Sequence, residues 1–100
     1  MTRKKLVPFQ NPSTLDVTVL LFAGPRELLG VERVVIHVLS VPCTVGDLRS
    51  SLLAAHPCLA PQLPSCLFAV SAQLVIAEEE GTHALQPAEE VALIPPVSGG

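Results

Sequence analysis

One hundred residues allow a single domain with a modest hydrophobic core, and 49% apolar residues exclude an intrinsically disordered chain. A net charge of −3 and only three aromatic residues, all Phe, argue against a nucleic-acid partner. No apolar run approaches the roughly 20 residues of a transmembrane helix, so no membrane association is expected.

The amino-terminal part of the chain joins a polar segment to a strongly apolar one. Residues 1–14 are polar and basic and are interrupted by Pro8 and Pro12, which predicts a mobile lead-in. Asp16–Phe22 has two largely apolar faces, which is typical of a central strand. The folded domain is therefore predicted to occupy residues 15–94.

A short helical connection and a second strand are predicted to follow. Pro25 can open a short helix, and Gly30 can close it. The β-branched run Val34–Leu39 then predicts a strand, so that the two strands form a hairpin with a helical connection.

The main predicted helix covers Thr44–His56. Thr44 and Asp47 have the spacing of a capping box, and Pro57 ends the helix because the residue before a proline avoids helical angles. One face carries apolar side chains at helical spacing, namely Val45, Leu48, Leu52 and Ala55.

Short strands and turns are predicted for the rest of the domain. Pro57–Ser65 contains three prolines and is predicted to be a loop, and Glu78–Gly81 is predicted to be an acidic, solvated turn. The predicted strands are Leu67–Val70, Leu74–Ile76, a brief His83–Leu85 and the apolar Glu90–Ile94.

The order of these elements predicts an α+β fold. One main helix must cover one face of a mixed sheet, and this order fits a β-grasp (ubiquitin-like) roll. In such a roll the first and last strands lie side by side at the centre of the sheet. That position agrees with the uniformly apolar sequences of these two strands.

The sequence offers few groups for an ordinary active site. His37, His56 and His83 are scattered, and no nucleophile elbow or phosphate-binding loop is present. The three cysteines are an odd number without a CxxC pair, so neither a disulfide framework nor a metal site is predicted. Free thiols indicate a reducing compartment, and we expect the cytosol.

The carboxyl-terminal residues 95–100, PPVSGG, are the exception. Pro95 and Pro96 stiffen the exit from the last strand, which predicts an extended tail. Gly99 and Gly100 carry no Cβ, so the backbone of a partner can close around them. The Gly100 carboxylate is a poor electrophile until it is activated, for example as an acyl-adenylate, from which sulfur can displace AMP to leave a thiocarboxylate.

Two segments resemble the small subunit of molybdopterin synthase, a family of ubiquitin-like sulfur carriers. FAGPRELLG, residues 22–30, is similar to the FA-x-x-RE-x-x-G segment of that family. LQPAEEVALIPPVSGG, residues 85–100, is similar to its closing segment, which ends in PP[VI][ST]GG. The resemblance runs from about Leu15 to Gly100, and the terminal residues are its most specific part.

The chain departs from the family pattern at two turns. Ala88-Glu89 replaces the usual Gly-Asp before the last strand, and Ser71 stands where many members have Asn or Arg.

The resemblance also implies a set of partner-binding residues, namely Phe22, Arg26, Leu74, Ile94, Pro95, Pro96, Val97 and Ser98.

The resemblance implies that Gly100 carries sulfur. An ATP-dependent enzyme similar to ubiquitin-activating enzymes would adenylate Gly100, and a sulfur donor would convert the glycyl-adenylate to a thiocarboxylate. The tail, including Gly99, would then enter the large subunit, whose catalytic pocket holds the pterin precursor, and two transfers would form the dithiolene of molybdopterin. The chain is thus expected to be a non-catalytic sulfur donor in a heterotetramer of two small and two large subunits, with no permanently bound cofactor or metal.

Three other interpretations share the fold and the Gly-Gly terminus. The chain could carry sulfur for thiamine thiazole or for transfer-RNA thiolation, although the double proline before Val-Ser favours molybdopterin synthase. It could be a ubiquitin-like modifier that forms isopeptide bonds with lysines, or a plain interaction domain with an inert tail.

Overall fold

The computed structural model describes residues 15–39 and 42–96, which form one mixed sheet with two α-helices. The predicted lead-in, residues 1–14, lies outside the described residues. None of the described helices is long and apolar enough to cross a membrane. The elements are β1 (Leu15–Leu21), α1 (Ala23–Leu29), β2 (Arg33–Val38), α2 (Val45–Ala55), β3 (Leu67–Val70), β4 (Gln73–Val75) and β5 (Val91–Ile94).

The five strands lie in the order β2-β1-β5-β3-β4. β1 and β5 are parallel neighbours, with Val19 opposite Val91 and Leu21 opposite Leu93, and the other pairs are antiparallel. The first and last strands therefore lie side by side within the sheet, as predicted. With α2 packed on one face this is a β-grasp arrangement, and the predicted fold class is confirmed.

A capping box fixes the amino end of α2. The Asp47 N–H donates to Thr44 Oγ1 at 3.1 Å, and the Thr44 N–H donates to Asp47 Oδ2 at 3.0 Å. Val45, Leu48 and Leu52 are fully buried in the core between the helix and the sheet. The capping residues and most of the apolar stripe are therefore where the sequence predicts them.

The predicted stripe is wrong at Ala55, which is exposed. α2 ends at this residue, and the chain enters a 3₁₀ turn, Pro57–Leu59, whose Leu59 is fully buried. A second 3₁₀ turn, Leu63–Ser65, buries Leu63. The segment predicted to be a loop thus supplies two core residues. Its prolines permit these turns, because proline is compatible with the first positions of a 3₁₀ turn.

The acidic segment 78–81 is not the fully solvated turn that its sequence predicts, because Glu80 is only 8% exposed. Arg49 of α2 donates to both carboxylate oxygens of Glu80, from Nε at 2.9 Å and from Nη2 at 2.6 Å. The same guanidinium donates to the carbonyl oxygens of Leu63 and Cys66 at 2.7 and 2.8 Å. One arginine therefore joins α2 to two distant turns and neutralises a buried carboxylate.

Two turns hold residues other than glycine in left-handed backbone conformations. Ser71 and Ala72 have φ of 50° and 69° in the two-residue connection between β3 and β4, as a type I′ turn requires. Ala88 has φ of 69° in the turn before β5, where Glu89 Oε1 accepts from the Gln86 N–H at 2.7 Å. Glycine, which the resemblance leads us to expect at position 88, would adopt this positive φ without backbone strain. Alanine at this position therefore costs stability, while the turn itself is retained.

The brief strand predicted at His83–Leu85 is reduced to a single bridge between Thr44 and Ala84. The Val45 N–H donates to the His83 carbonyl at 3.0 Å, and the Leu85 N–H donates to the Cys43 carbonyl at 2.7 Å. This segment therefore pairs with the residues around the start of α2 and does not join the sheet.

Candidate functional site

One face of the sheet carries no helix among the described residues, and we call it the open face. Alternation along β1 sends Val17, Val19 and Leu21 into the core, whereas Thr18 is exposed and Leu20 is half-buried on the opposite face. The open face therefore exposes side chains that a partner protein could contact.

An apolar row crosses the open face over four strands. Leu20 of β1 lies opposite Ala92 of β5. Ala92 lies opposite Ala69 of β3, which in turn lies opposite Leu74 of β4. Because the two alanines are short and the leucines at the ends are long, the middle of the row is lower than its ends.

The low part of the row is the floor of a shallow depression, which we call the slot. Ala69 and Ala92 form its floor, and Phe22 and Ile94 stand at the end where β1 and β5 finish. Glu90, which directly precedes β5, stands at the opposite end. The residues lining the slot are Leu20, Phe22, Ala69, Ala72, Glu90, Ala92 and Ile94.

The three apolar contacts that the resemblance implies are brought together on this face. Phe22 is 43% exposed and Leu74 is 58% exposed. Ile94 is half-buried and lies opposite Leu67 on β3. None of the three is a buried core residue, so all of them are placed where a partner can reach them.

The carboxyl-terminal segment leaves the sheet beside the slot. β1 and β5 are parallel and Leu21 lies opposite Leu93, so β5 ends where the chain passes from β1 into α1. Pro95 is half-buried and Pro96 is exposed. The other predicted tail residues, Val97, Ser98, Gly99 and Gly100, lie outside the described residues.

The chain from Leu15 onward has an acidic charge balance. From Leu15 onward the sequence has three arginines, no lysine and nine acidic residues, a net charge of −6 (three minus nine). Arg49 is paired with Glu80, which leaves Arg26 and Arg33 as the exposed cations of the described part of the chain. Arg26 lies on α1, near the point where the carboxyl-terminal segment leaves the sheet, and lines a second depression with Phe22 and Arg33.

The thiols are not placed for chemistry at the open face. Cys43 and Cys66 are buried, and Cys58 is exposed on the 3₁₀ turn after α2. Burial raises the pKa of the Cys43 thiol, and the nearby Asp47 carboxylate raises it further. Burial also raises the pKa of the Cys66 thiol, against an opposing effect of the Arg49 charge. Both buried thiols are therefore poor nucleophiles near neutral pH.

Sequence reasoning missed five residues of the slot, namely Leu20, Ala69, Ala72, Glu90 and Ala92. Period-two alternation places Leu20, Ala69 and Ala92 on one face of their strands and extends from Ala92 to Glu90, whereas Ala72 lies in the turn between β3 and β4. Their meeting depends on the register between strands, which alternation within one strand does not determine.

The fold and the open face define a ubiquitin-like protein of the β-grasp class. The chain belongs to the ThiS family, whose profile matches residues 19–100. It is similar to the molybdopterin synthase sulfur carrier subunit of Chlamydomonas reinhardtii, with 36% identity over 86% of this chain and 100% of the relative. The human molybdopterin synthase sulfur carrier subunit is 37% identical over 85% of this chain and 94% of that protein.

Solved structures share the same fold. The crystal structure of SAMP1 from Haloferax volcanii superimposes with a TM-score of 0.68 at 30% identity, covering 85% of this chain and 99% of SAMP1. A chain in the protein-protein complex of subunits 1 and 2 of the molybdopterin-converting factor from Helicobacter pylori superimposes with a TM-score of 0.60 at 23% identity, covering 86% of this chain and 100% of that chain.

Proposed function

We propose that this chain is the sulfur carrier subunit of a molybdopterin synthase, with the Gly100 carboxyl group as the site of sulfur attachment. The observation that carries the proposal is the Gly-Gly terminus, which follows a central β-grasp strand beside an apolar open face. The names of the two relatives above, which match 85–86% of this chain, support the same role.

Gly100 carries the chemistry and the partners supply the catalytic groups. The ionised carboxylate attacks the α-phosphate of ATP on an activating enzyme, which releases pyrophosphate and forms a glycyl-adenylate. Hydrosulfide supplied by the sulfur donor then attacks the acyl carbon, the bond to AMP breaks, and loss of the S–H proton leaves a thiocarboxylate. Each thiocarboxylate sulfur bonds to the pterin precursor in the large subunit, and water then cleaves the resulting thioester and returns the Gly100 carboxylate. Two such deliveries complete the dithiolene.

The open face gives the large subunit a surface on which to dock beside the tail. Pro95 and Pro96 keep the segment extended as it leaves β5, and Gly99 lets the walls of a partner's channel approach the backbone. The large subunit would cover Phe22 and the apolar row while the tail enters its pocket, in a heterotetramer of two carriers and two large subunits. The free thiols fit a reducing compartment, and we place the chain in the cytosol.

Shortening or blocking the tail tests the proposal. Deletion of Gly100 withdraws the carboxylate by about 3.3–3.6 Å, which is several times the misplacement that costs a hundredfold in rate. Gly99→Val adds a branched side chain to a segment that must pass through a channel. Both variants should lose molybdopterin formation while their melting temperatures stay within about 2 °C of wild type, since the described core extends only from Val17 to Leu93.

Two control variants accompany these changes. Gly81→Val makes the same substitution at an exposed site where an added Cβ meets nothing within 4 Å, so it should keep full activity. Deletion of residues 1–14 should also keep sulfur transfer, because the open face and the carboxyl-terminal segment are both retained. Molybdopterin formation by the chain without Gly100 would refute the carrier proposal.

The likeness to SAMP1, the small archaeal modifier protein 1, favours one second candidate function, that of a ubiquitin-like modifier. In that case the terminal carboxyl group would form isopeptide bonds with lysines of other proteins. Denaturing gels of cells that express the chain would then show it in covalent adducts that disappear when Gly100 is deleted. A sulfur carrier instead yields the free chain with one oxygen exchanged for sulfur, which intact-mass spectrometry detects. A sulfur carrier for thiazole synthesis or transfer-RNA thiolation would show the same mass change but would not support molybdopterin formation.

A further inference from the structure

The slot on the open face is apolar along most of its length and charged at one end. Ala69 and Ala92 form its floor, and Phe22 and Ile94 stand at the end where β1 and β5 finish. Glu90 closes the other end, on the same side of the chain as Ala92 and about 6.6 Å from it along the strand direction.

Glu90 is held in place by its backbone. The Ser71 N–H donates to the Glu90 carbonyl at 2.8 Å, which continues the pairing between β3 and β5 by one step. The side chain is exposed, and no ion pair involves it within residues 15–39 and 42–96. Its neighbour Glu89 differs, because the Glu89 carboxylate accepts hydrogen bonds from the Gln86 N–H in the turn before β5 and from the Ser71 hydroxyl in the turn between β3 and β4.

A partner that covers the apolar row must also cover Glu90. An ionised carboxylate that loses water without gaining a partner is strongly unfavourable, so a wholly apolar partner surface would be penalised at this end of the slot. A long cationic side chain meets both requirements, because its methylene stem packs on apolar surface while its charged head reaches a carboxylate.

We propose that the slot receives a lysine or arginine side chain of the molybdopterin synthase large subunit, with the stem on Ala69 and Ala92 and the charged head on Glu90. The identity of this partner rests on the proposed function. The charge balance of the chain favours the same occupant, because a net charge of −6 from Leu15 onward attracts a basic docking surface.

The test uses the full-length chain and the purified large subunit from the same organism, with affinity and association rate measured at low and high salt. Glu90→Gln keeps the size and shape of the side chain and removes its charge, with one acceptor oxygen replaced by an NH2 donor. It should weaken binding at least tenfold and reduce the salt dependence of the association rate. Ala92→Leu fills the floor and should also weaken binding at least tenfold.

Each variant has a matched control on another part of the surface. Glu78→Gln removes a charge from the exposed 3₁₀ turn Ala77–Glu79, and Ala54→Leu adds the same volume to an exposed position of α2. Both controls should stay within twofold of wild-type affinity. All four variants should melt within a few degrees of wild type, because each changed side chain is outside the buried core.

The outcomes separate this inference from the proposed function. Wild-type affinity in Glu90→Gln, together with weak binding of Ala92→Leu, would mean that the occupant is uncharged and would overturn the inference. Wild-type affinity in both variants would mean that the slot is not covered by the large subunit. In either case the wild-type pair would still bind and form molybdopterin, whereas failure of the wild-type pair to do so would refute the proposed function and this inference with it.

Discussion

Replacing Arg49 by methionine tests the main polar contact of the fold. Methionine keeps an apolar stem of similar length, but it removes four hydrogen bonds, of which two reach Glu80 and two reach backbone carbonyls. It also removes a cation 5.2 Å from the centre of the Phe68 ring. Arg49→Met therefore leaves Glu80 as a buried carboxylate without its counter-charge.

The loss of stability follows from the burial of the pair. Breaking a buried ion pair by removing one partner costs about 3–5 kcal/mol, because the remaining charge is left unpaired. The Arg49 side chain is 23% exposed and that of Glu80 11%, so water screens part of the interaction. We therefore expect a value at the lower end of that range, about 3 kcal/mol, with a fall in melting temperature of about 12–24 °C.

Urea unfolding followed by far-ultraviolet circular dichroism measures this change. Arg33→Met is the control, because Arg33 is exposed and makes no ion pair among the described residues, and it should change stability by less than about 0.5 kcal/mol. Adding Glu80→Leu to Arg49→Met removes the orphaned carboxylate and should restore more than half of the loss. A loss below about 1 kcal/mol in Arg49→Met, or no recovery in the double variant, would refute the assignment of the pair as a buried, neutralising contact.

Three further predictions concern a turn, the thiols and the surface charge. Ala88→Gly should raise the free energy of unfolding by about 1 kcal/mol, because glycine adopts a positive φ without strain, and an unchanged urea midpoint would contradict this. Since burial raises the pKa of Cys43 and Cys66, a thiol reagent at pH 8 should modify only Cys58 rapidly in the native chain and all three thiols in denaturant. Association with the large subunit should slow as salt rises, and a salt-independent on-rate would rule out electrostatic steering.

Local sequence patterns were sufficient for most of the elements. The capping box at Thr44 and Asp47 and the proline at position 57 bound α2 within one residue of the prediction, because capping and proline effects act over a few neighbouring residues. The apolar sequence of β1 likewise predicted its place inside the sheet, where β2 and β5 pair with its two edges.

The carboxyl-terminal motif was also evident from the sequence alone. A Gly-Gly end after Pro95-Pro96 has chemical meaning without any tertiary contact, because its reactive group is the terminal carboxylate itself. The functional hypothesis for Gly100 therefore came from the linear sequence.

Contacts between distant segments were decided only by the tertiary structure. Glu80 sits in a run of three glutamates that looks solvated, but the fold brings Arg49 to it from 31 residues away and buries it. Ala69 and Ala92 are unremarkable in sequence and become the floor of the slot only through the pairing of β3 with β5. Propensity and periodicity act along the chain, whereas ion pairing and strand register depend on which segments meet in space, and this is why the sequence predicted the elements and the tail but not the slot or the buried ion pair.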